Sequence, residues 1–269
     1  MKPHLIVLDL DGTLLTDQKV ISPKTKETLF KAVEAGHQVM IATGRPYRSS
    51  EPYYKELRLK TPIVNFNGAF VHHPIDNSWG LYHTPISLDV VHEVVESMHD
   101  FNFHNIVAEV LDDVYVHHHD EKLMDIFKFG DPLITTGDLR NYLKVDPTSM
   151  LIHAPIDKVQ LIHDHLTSVH AEVIDHRRWG APWHVIEIVK SGLSKAVGLD
   201  QVSKSLGIER QHIIAFGDED NDLEMIDFAG VGVAMGNAID PLKNIANEIT
   251  GSNNEDGIAE LLIDRLKLK

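Results

Sequence analysis

The chain has 269 residues, with 25 basic and 40 acidic side chains and a formal net charge of −15, an imbalance that excludes a basic surface for a nucleic acid polymer. With 43% hydrophobic and 24% charged residues it is a globular chain, not a disordered one. It has no cysteine, which removes disulfides, zinc ribbons and thiol nucleophiles and suits a reducing compartment.

From Met1 the chain runs straight into a strand-like segment and meets Asp9 early. No apolar run has the length of a membrane span, so a signal peptide, a membrane and export are not expected, and we place the protein in the cytoplasm. Residues 4–10 suit a strand buried on both faces. Ser22-Pro23 has the form of an N-cap followed by proline at the first helical position, and Gly36 closes that helix. Residues 38–42 form a second buried strand, 46–59 a helix and 62–66 a third strand. This βαβαβ order is the signature of a parallel, doubly wound sheet.

The middle differs. Val91, Val94, Val95 and Met98 fall on one helical face, whereas 113–117 and 185–189 alternate like half-buried strands, so an antiparallel α+β insert is expected at 83–187. That insert carries 18 acidic and 7 basic residues and 13 of the 18 histidines. His117, His118 and His119 would alternate faces on a strand, so a metal site there would need ligands from elsewhere. Residues 130–137 read as a loop. After the insert the α/β grammar returns: Ser194 caps a helix with Leu199, Val202 and Leu206 on one face, and Gly207 stops it. Strands follow at 213–216 and 231–235, then a helix at 257–266. The expected architecture is α/β, a core built from 1–82 and 188–269 with the insert between them.

The chemistry-bearing residues sit at strand ends. Asp9 and Asp11 end the first strand, where open α/β sheets bind ligands, and two such carboxylates repel each other without a cation. Thr43-Gly44 ends the second, a hydroxyl and free N–H groups that make a small anion cradle. Lys195 opens a helix, where the dipole disfavours a cation by roughly 0.3–1 kcal/mol unless an anion lies nearby. Asp218, Glu219, Asp220 and Asp222 follow a strand, and oxygen-only ligands indicate Mg²⁺. Together these suit phosphoryl transfer through a carboxylate nucleophile.

The motifs Asp9-Leu10-Asp11-Gly12-Thr13, Thr43-Gly44-Arg45, Asn67-Gly68-Ala69, Gly192-Leu193-Ser194-Lys195 and Gly217-Asp218-Glu219-Asp220-Asn221-Asp222 stand in the order and spacing of one family. The sequence resembles the haloacid dehalogenase-like superfamily, and within it the Cof-type phosphatases with a type IIB cap. The resemblance implies a Mg²⁺-dependent phosphatase for small phosphate esters, such as sugar phosphates or phosphorylated cofactors, with the insert as cap. It implies that Asp9 is the nucleophile that becomes an aspartyl phosphate and Asp11 the acid and base. Asp9, the Asp11 carbonyl and Asp218 would bind the metal, with Asp222 steering a metal-bound water. The phosphate would be held by the Leu10 N–H, Thr43, Gly44, Lys195 and Asn221. Ala196 stands where relatives have glycine, a minor packing change. Arg177, Arg178, Trp179, Trp183 and His184 are the most substrate-like residues of the insert. A monomer or weak homodimer is expected. Two other readings remain at this stage: a sugar phosphomutase, and a non-hydrolytic phospho-aspartate signalling module, whose acceptor lies mid-chain in a domain without an insert.

Overall fold

The computed structural model describes residues 2–170, 174–179 and 185–268, with only the backbone described at 99, 170 and 174–179. Two compact units result. The first comprises Met1–Arg45, Ser50–Leu81 and Ser194–Lys269, and the second Pro46–Ser49 and Tyr82–Leu193.

In the first unit, Leu5, Ile6, Val7 and Leu8 are all fully buried, as a strand is when both faces of its sheet are covered. Leu5–Leu8 pairs in parallel with Gln38–Ile41 on one side and Ile213–Gly217 on the other. Val231–Ala234 and Glu248–Ile249 extend the sheet past Ile213–Gly217, also in parallel. Both ends of the chain therefore build one sheet, as the repeated grammar predicts. From Leu5–Leu8 the chain steps one way, and from Ile213–Gly217 it steps the other, so right-handed crossovers place the connecting helices on opposite faces. In agreement, Pro23–Glu34 packs on Gly257–Leu266, whereas Lys195–Leu206 packs on Leu223–Phe228.

Local chemistry sets the helix ends. Ser22 Oγ accepts the Thr25 N–H at 3.1 Å ahead of Pro23. Ser194 Oγ accepts the Val197 N–H at 3.4 Å, and Gly207, with φ of 66°, ends that helix. Such a cap contributes about 1 kcal/mol.

The third strand departs from expectation. Ile63–Asn65 meets the end of the second strand through a single bridge, Ala42 to Val64, and pairs antiparallel with Phe70–His72. The cause lies in the next three residues: Phe66, Asn67 and Gly68 have φ of 48°, 52° and 100°, which turns the chain back before a full strand forms.

Among the described residues of the second unit, six strands run in the order Ile174–Trp179, Val185–Lys190, Ser149–His153, Asn105–Val110, Asp113–Val116 and Ile134–Thr136. All neighbours are antiparallel except the last pair. The two-residue period sorts the side chains. Ile106, Ala108, Met150, Ile152, Ile186 and Ile188 join Val91, Val94 and Val95 in one core. Val107, Leu151 and Val185 join Leu123 and Phe127 in another, on the opposite side.

Covering of both faces buries Val185–Val189 throughout, so this strand is not half-buried; Glu187 between isoleucines imitates an alternating pattern. The 130–137 segment is not wholly loop, because Ile134–Thr136 adds a parallel edge strand. Asp113–Val116 keeps its alternation. His117 is buried and its Nδ1 accepts the Leu139 N–H at 3.2 Å, while His118 and His119 are exposed. Trp183 and His184 lie outside the described residues, as do the side chains of Arg177, Arg178 and Trp179.

Candidate active site

Parallel pairing puts the C-terminal ends of all five core strands on one edge, and strand order reverses between Leu5–Leu8 and Ile213–Gly217. Residues just beyond these two strands therefore meet at the switch point of the sheet. Asp9 follows the first, and Asp218 and Asp222 follow the second. Each of the three offers a carboxylate oxygen within 4.8 Å of the others, and all are buried.

Lys195 supplies the opposing charge. Its Nζ donates to Asp9 Oδ1 at 2.6 Å and to Asp222 Oδ1 at 2.7 Å, and its side chain is fully buried. The lysine that seemed misplaced at a helix start is thus bound to anions. Burial alone lowers its pKa, but Asp222 and Asp9 outweigh that and hold it charged. Asp222 is otherwise saturated, its Oδ2 accepting the Asp218 and Glu219 N–H groups at 3.0 and 3.2 Å. Asp218 Oδ1 accepts from Thr13 Oγ1 at 2.7 Å. Gly12, at φ of 78°, leaves room for this carboxylate: a Cβ there would lie 2.1 Å from Asp218 Oδ2.

The acidic run after the strand divides. Asp218 and Asp222 enter the site, whereas Glu219 and Asp220 are exposed. Glu219 and Asp222 form a reciprocal capping box that fixes this turn.

Three buried carboxylates face one ammonium. Burial pushes the Asp9 pKa well above the usual carboxylate range, with Lys195 opposing and Asp222 and Asp218 adding to the rise. Burial likewise pushes Asp218 up to about 7, against the Thr13 hydrogen bond and with help from Asp222. An excess of buried negative charge with oxygen-only donors fits a hard divalent cation such as Mg²⁺.

Asp11 stands apart from this group. Its Oδ2 accepts from Arg45 Nε and its Oδ1 from Arg45 Nη2, both at 2.6 Å, and Oδ1 also accepts from Lys19 Nζ at 2.7 Å. Burial acts to raise its pKa, but Arg45 and then Lys19 bring it down to about 2.

The predicted cradle residues come together on the same edge. Thr43 is buried and its Oγ1 accepts the Arg45 N–H at 3.1 Å. Asn221 Nδ2 donates to Asn67 Oδ1 at 3.0 Å, and a Cβ on Gly44 would lie 3.1 Å from Asn67 Nδ2. Leu10 is fully buried between Asp9 and Asp11. Lys19 and Tyr53 were not anticipated. Neither lies in a motif or at a strand end, and only the folded chain brings Lys19 to Asp11 and the Tyr53 hydroxyl to the Lys19 carbonyl.

A family model described as haloacid dehalogenase-like hydrolase matches residues 6–262. The chain belongs to this family. It is 59% identical over 267 residues to the 5-amino-6-(5-phospho-D-ribitylamino)uracil phosphatase YitU of Bacillus subtilis, covering 99% of both chains. It is 30% identical to the pyridoxal phosphate phosphatase YbhA of Escherichia coli, covering 99% of this chain and 100% of that one. The solved structure of a haloacid dehalogenase-like hydrolase from Bacteroides thetaiotaomicron superposes with a TM-score of 0.86 at 31% identity, over 98% of this chain and 100% of the other. The protein is a phosphatase of small phosphate esters. Among the described residues, no helix is long and apolar enough to cross a membrane.

Proposed function

We propose that this phosphatase moves the phosphoryl group of its substrate first to Asp9 and then to water, and that its substrate is 5-amino-6-(5-phospho-D-ribitylamino)uracil. The observation that carries the mechanism is the buried Asp9–Lys195–Asp222 arrangement. A carboxylate can approach a phosphate only if fixed positive charge is present, and Lys195 holds such charge beside Asp9 without exposure to water. Asp9 and Asp218, together with Asp222, would hold Mg²⁺, which would supply the remaining neutralisation of the phosphate.

In this reading an Asp9 oxygen bonds to phosphorus as the ester oxygen leaves, and Asp11, protonated once it leaves its Arg45 and Lys19 partners, gives that oxygen its proton. A water then attacks the aspartyl phosphate, Asp11 takes the water's proton, and phosphate departs with Asp9 restored. Thr43, Gly44, Asn221 and the Leu10 N–H hold the phosphate oxygens throughout, with Asn67 steadying Asn221. Residues 83–187 act as a cap that reads the leaving group, in a cytoplasmic monomer or weak homodimer.

The substrate rests on the 59% identity to YitU along the full chain. It is tested by kcat/KM with Mg²⁺ for that compound, pyridoxal 5′-phosphate and p-nitrophenyl phosphate. We expect a preference of about tenfold or more for the ribitylaminouracil ester. Equal values for all three would remove the substrate assignment.

A further inference from the structure

Resting on the reading that Thr43, Gly44 and Asn221 hold the phosphate, we infer that Asn67 is a further phosphate-binding residue, its side-chain Nδ2 donating to a phosphate oxygen. Asn67 is 1% exposed, and its Oδ1 accepts from Asn221 Nδ2 at 3.0 Å. Its Nδ2 donates to no acceptor among the described residues. A buried amide N–H left without an acceptor is destabilising, and folds rarely keep one without a use. Its place points to the acceptor. The amide lies over Gly44, where a Cβ would come within 3.1 Å of Nδ2 and 3.3 Å of Oδ1, so the unpaired donor borders two of the groups that hold the phosphate in this reading. A phosphate oxygen only accepts, and its charge strengthens a hydrogen bond from a neutral donor.

The backbone fixes this side chain in place. The Asn67 N–H donates to the Thr43 carbonyl at 3.1 Å, and the Phe66 N–H and Asn65 Nδ2 donate to the Arg45 carbonyl at 3.2 and 2.9 Å, so the turn is bonded to both ends of Thr43-Gly44-Arg45. On its other side Gly68 meets the Ser194 carbonyl, which a Cβ would approach to 2.3 Å, at the start of the helix that carries Lys195. Residue 67 has φ of 52° and ψ of 32°, a left-handed conformation that asparagine tolerates and glycine adopts without strain. Glycine would serve the turn equally well. The conformation does not call for an amide with a spare donor beside the cradle.

The test is the Kd of inorganic phosphate, measured by titration calorimetry with Mg²⁺ present, for Asn67→Gly made in wild type and in Asn221→Ala. Glycine keeps the left-handed turn and removes the amide. We expect Kd to rise about tenfold in each background, the size of one charge-assisted hydrogen bond. Tm should fall by no more than about 3 °C. An unchanged Kd overturns the assignment. A rise confined to the wild-type background also overturns it, because Asn67 would then act only by steadying Asn221. So does a rise that comes with a larger fall in Tm, because the turn and not the donor would have been lost. Wild type that binds no phosphate, or binds it equally well after Asn221→Ala and after Thr43→Ala, would instead overturn the cradle on which the assignment rests.

Discussion

Lys195 carries the largest electrostatic load of any single side chain in the site. It donates to Asp9 and Asp222, whereas Asp218 accepts from the Thr13 hydroxyl. Removing the Asp218 charge should therefore relieve repulsion without orphaning the ammonium. Without metal, Asp218→Asn should unfold later than wild type, by about 1–2 kcal/mol, a gain of the size common when a functional site is neutralised. Added Mg²⁺ should raise the Tm of wild type and leave that of the variant almost unmoved, since only a folded site that binds the ion is stabilised by it. Thermal melts with and without Mg²⁺ measure both effects. At this scale the motif residues were legible because Asp9, Thr43, Lys195 and Asp218 stand immediately beyond a strand or at a helix start, where open α/β sheets gather their ligand groups. Lys19 was not legible, because its part depends on a positive φ and on a tyrosine 34 residues away.

Adjacent elements of the parallel sheet also meet at the edge opposite the active site. His4, His37 and His212 precede the strands Leu5–Leu8, Gln38–Ile41 and Ile213–Gly217, so the register of these strands lines the three rings up. Their centroids lie 5.3 Å apart for His4 and His37 and 5.5 Å for His4 and His212. The His4 N–H donates to His37 Nδ1 at 3.0 Å, which requires that nitrogen to be unprotonated. Burial lowers the pKa of His4, with His212, Arg265 and the N-terminus adding to the fall. Burial also lowers His37, with His4 and the N-terminus adding. A histidine depressed in the fold takes up its proton more readily when unfolded, so its stabilisation is complete above the ordinary value of about 6.5 and is lost as pH falls below it. We expect Tm to decline between pH 7 and pH 5, and His37→Asn, which keeps an acceptor for the His4 N–H, to flatten that decline. An identical slope in the variant would place the acid sensitivity elsewhere. Elements with full apolar runs, such as Leu5–Leu8, were readable in the sequence. The strands at 63–65 and 185–190 were read as strands too, but not the antiparallel return after the first, which three positive-φ residues decide, nor the full burial of the second, which packing on both faces decides.

Across the whole molecule, a net charge of −15 belongs to an enzyme that handles a phosphate. The conflict is resolved by distribution. Residues 83–187 carry most of the excess, with 18 acidic against 7 basic side chains, while the candidate site brings its own buried ammonium and a nest of carboxylates suited to Mg²⁺. Acidity excluded a polyanion along a surface and had no bearing on a single phosphate at a strand edge. The α/β core was legible as a whole because both ends of the chain repeat one grammar, and they do join one sheet. The proposed mechanism requires that Asp9 become phosphorylated. Rapid-quench mass spectrometry of the Asp9-containing peptide during turnover with Mg²⁺ tests this most directly. It should show a transient gain of one phosphoryl group in wild type, with neither the gain nor turnover in Asp9→Asn; wild-type turnover by the Asn variant would contradict it.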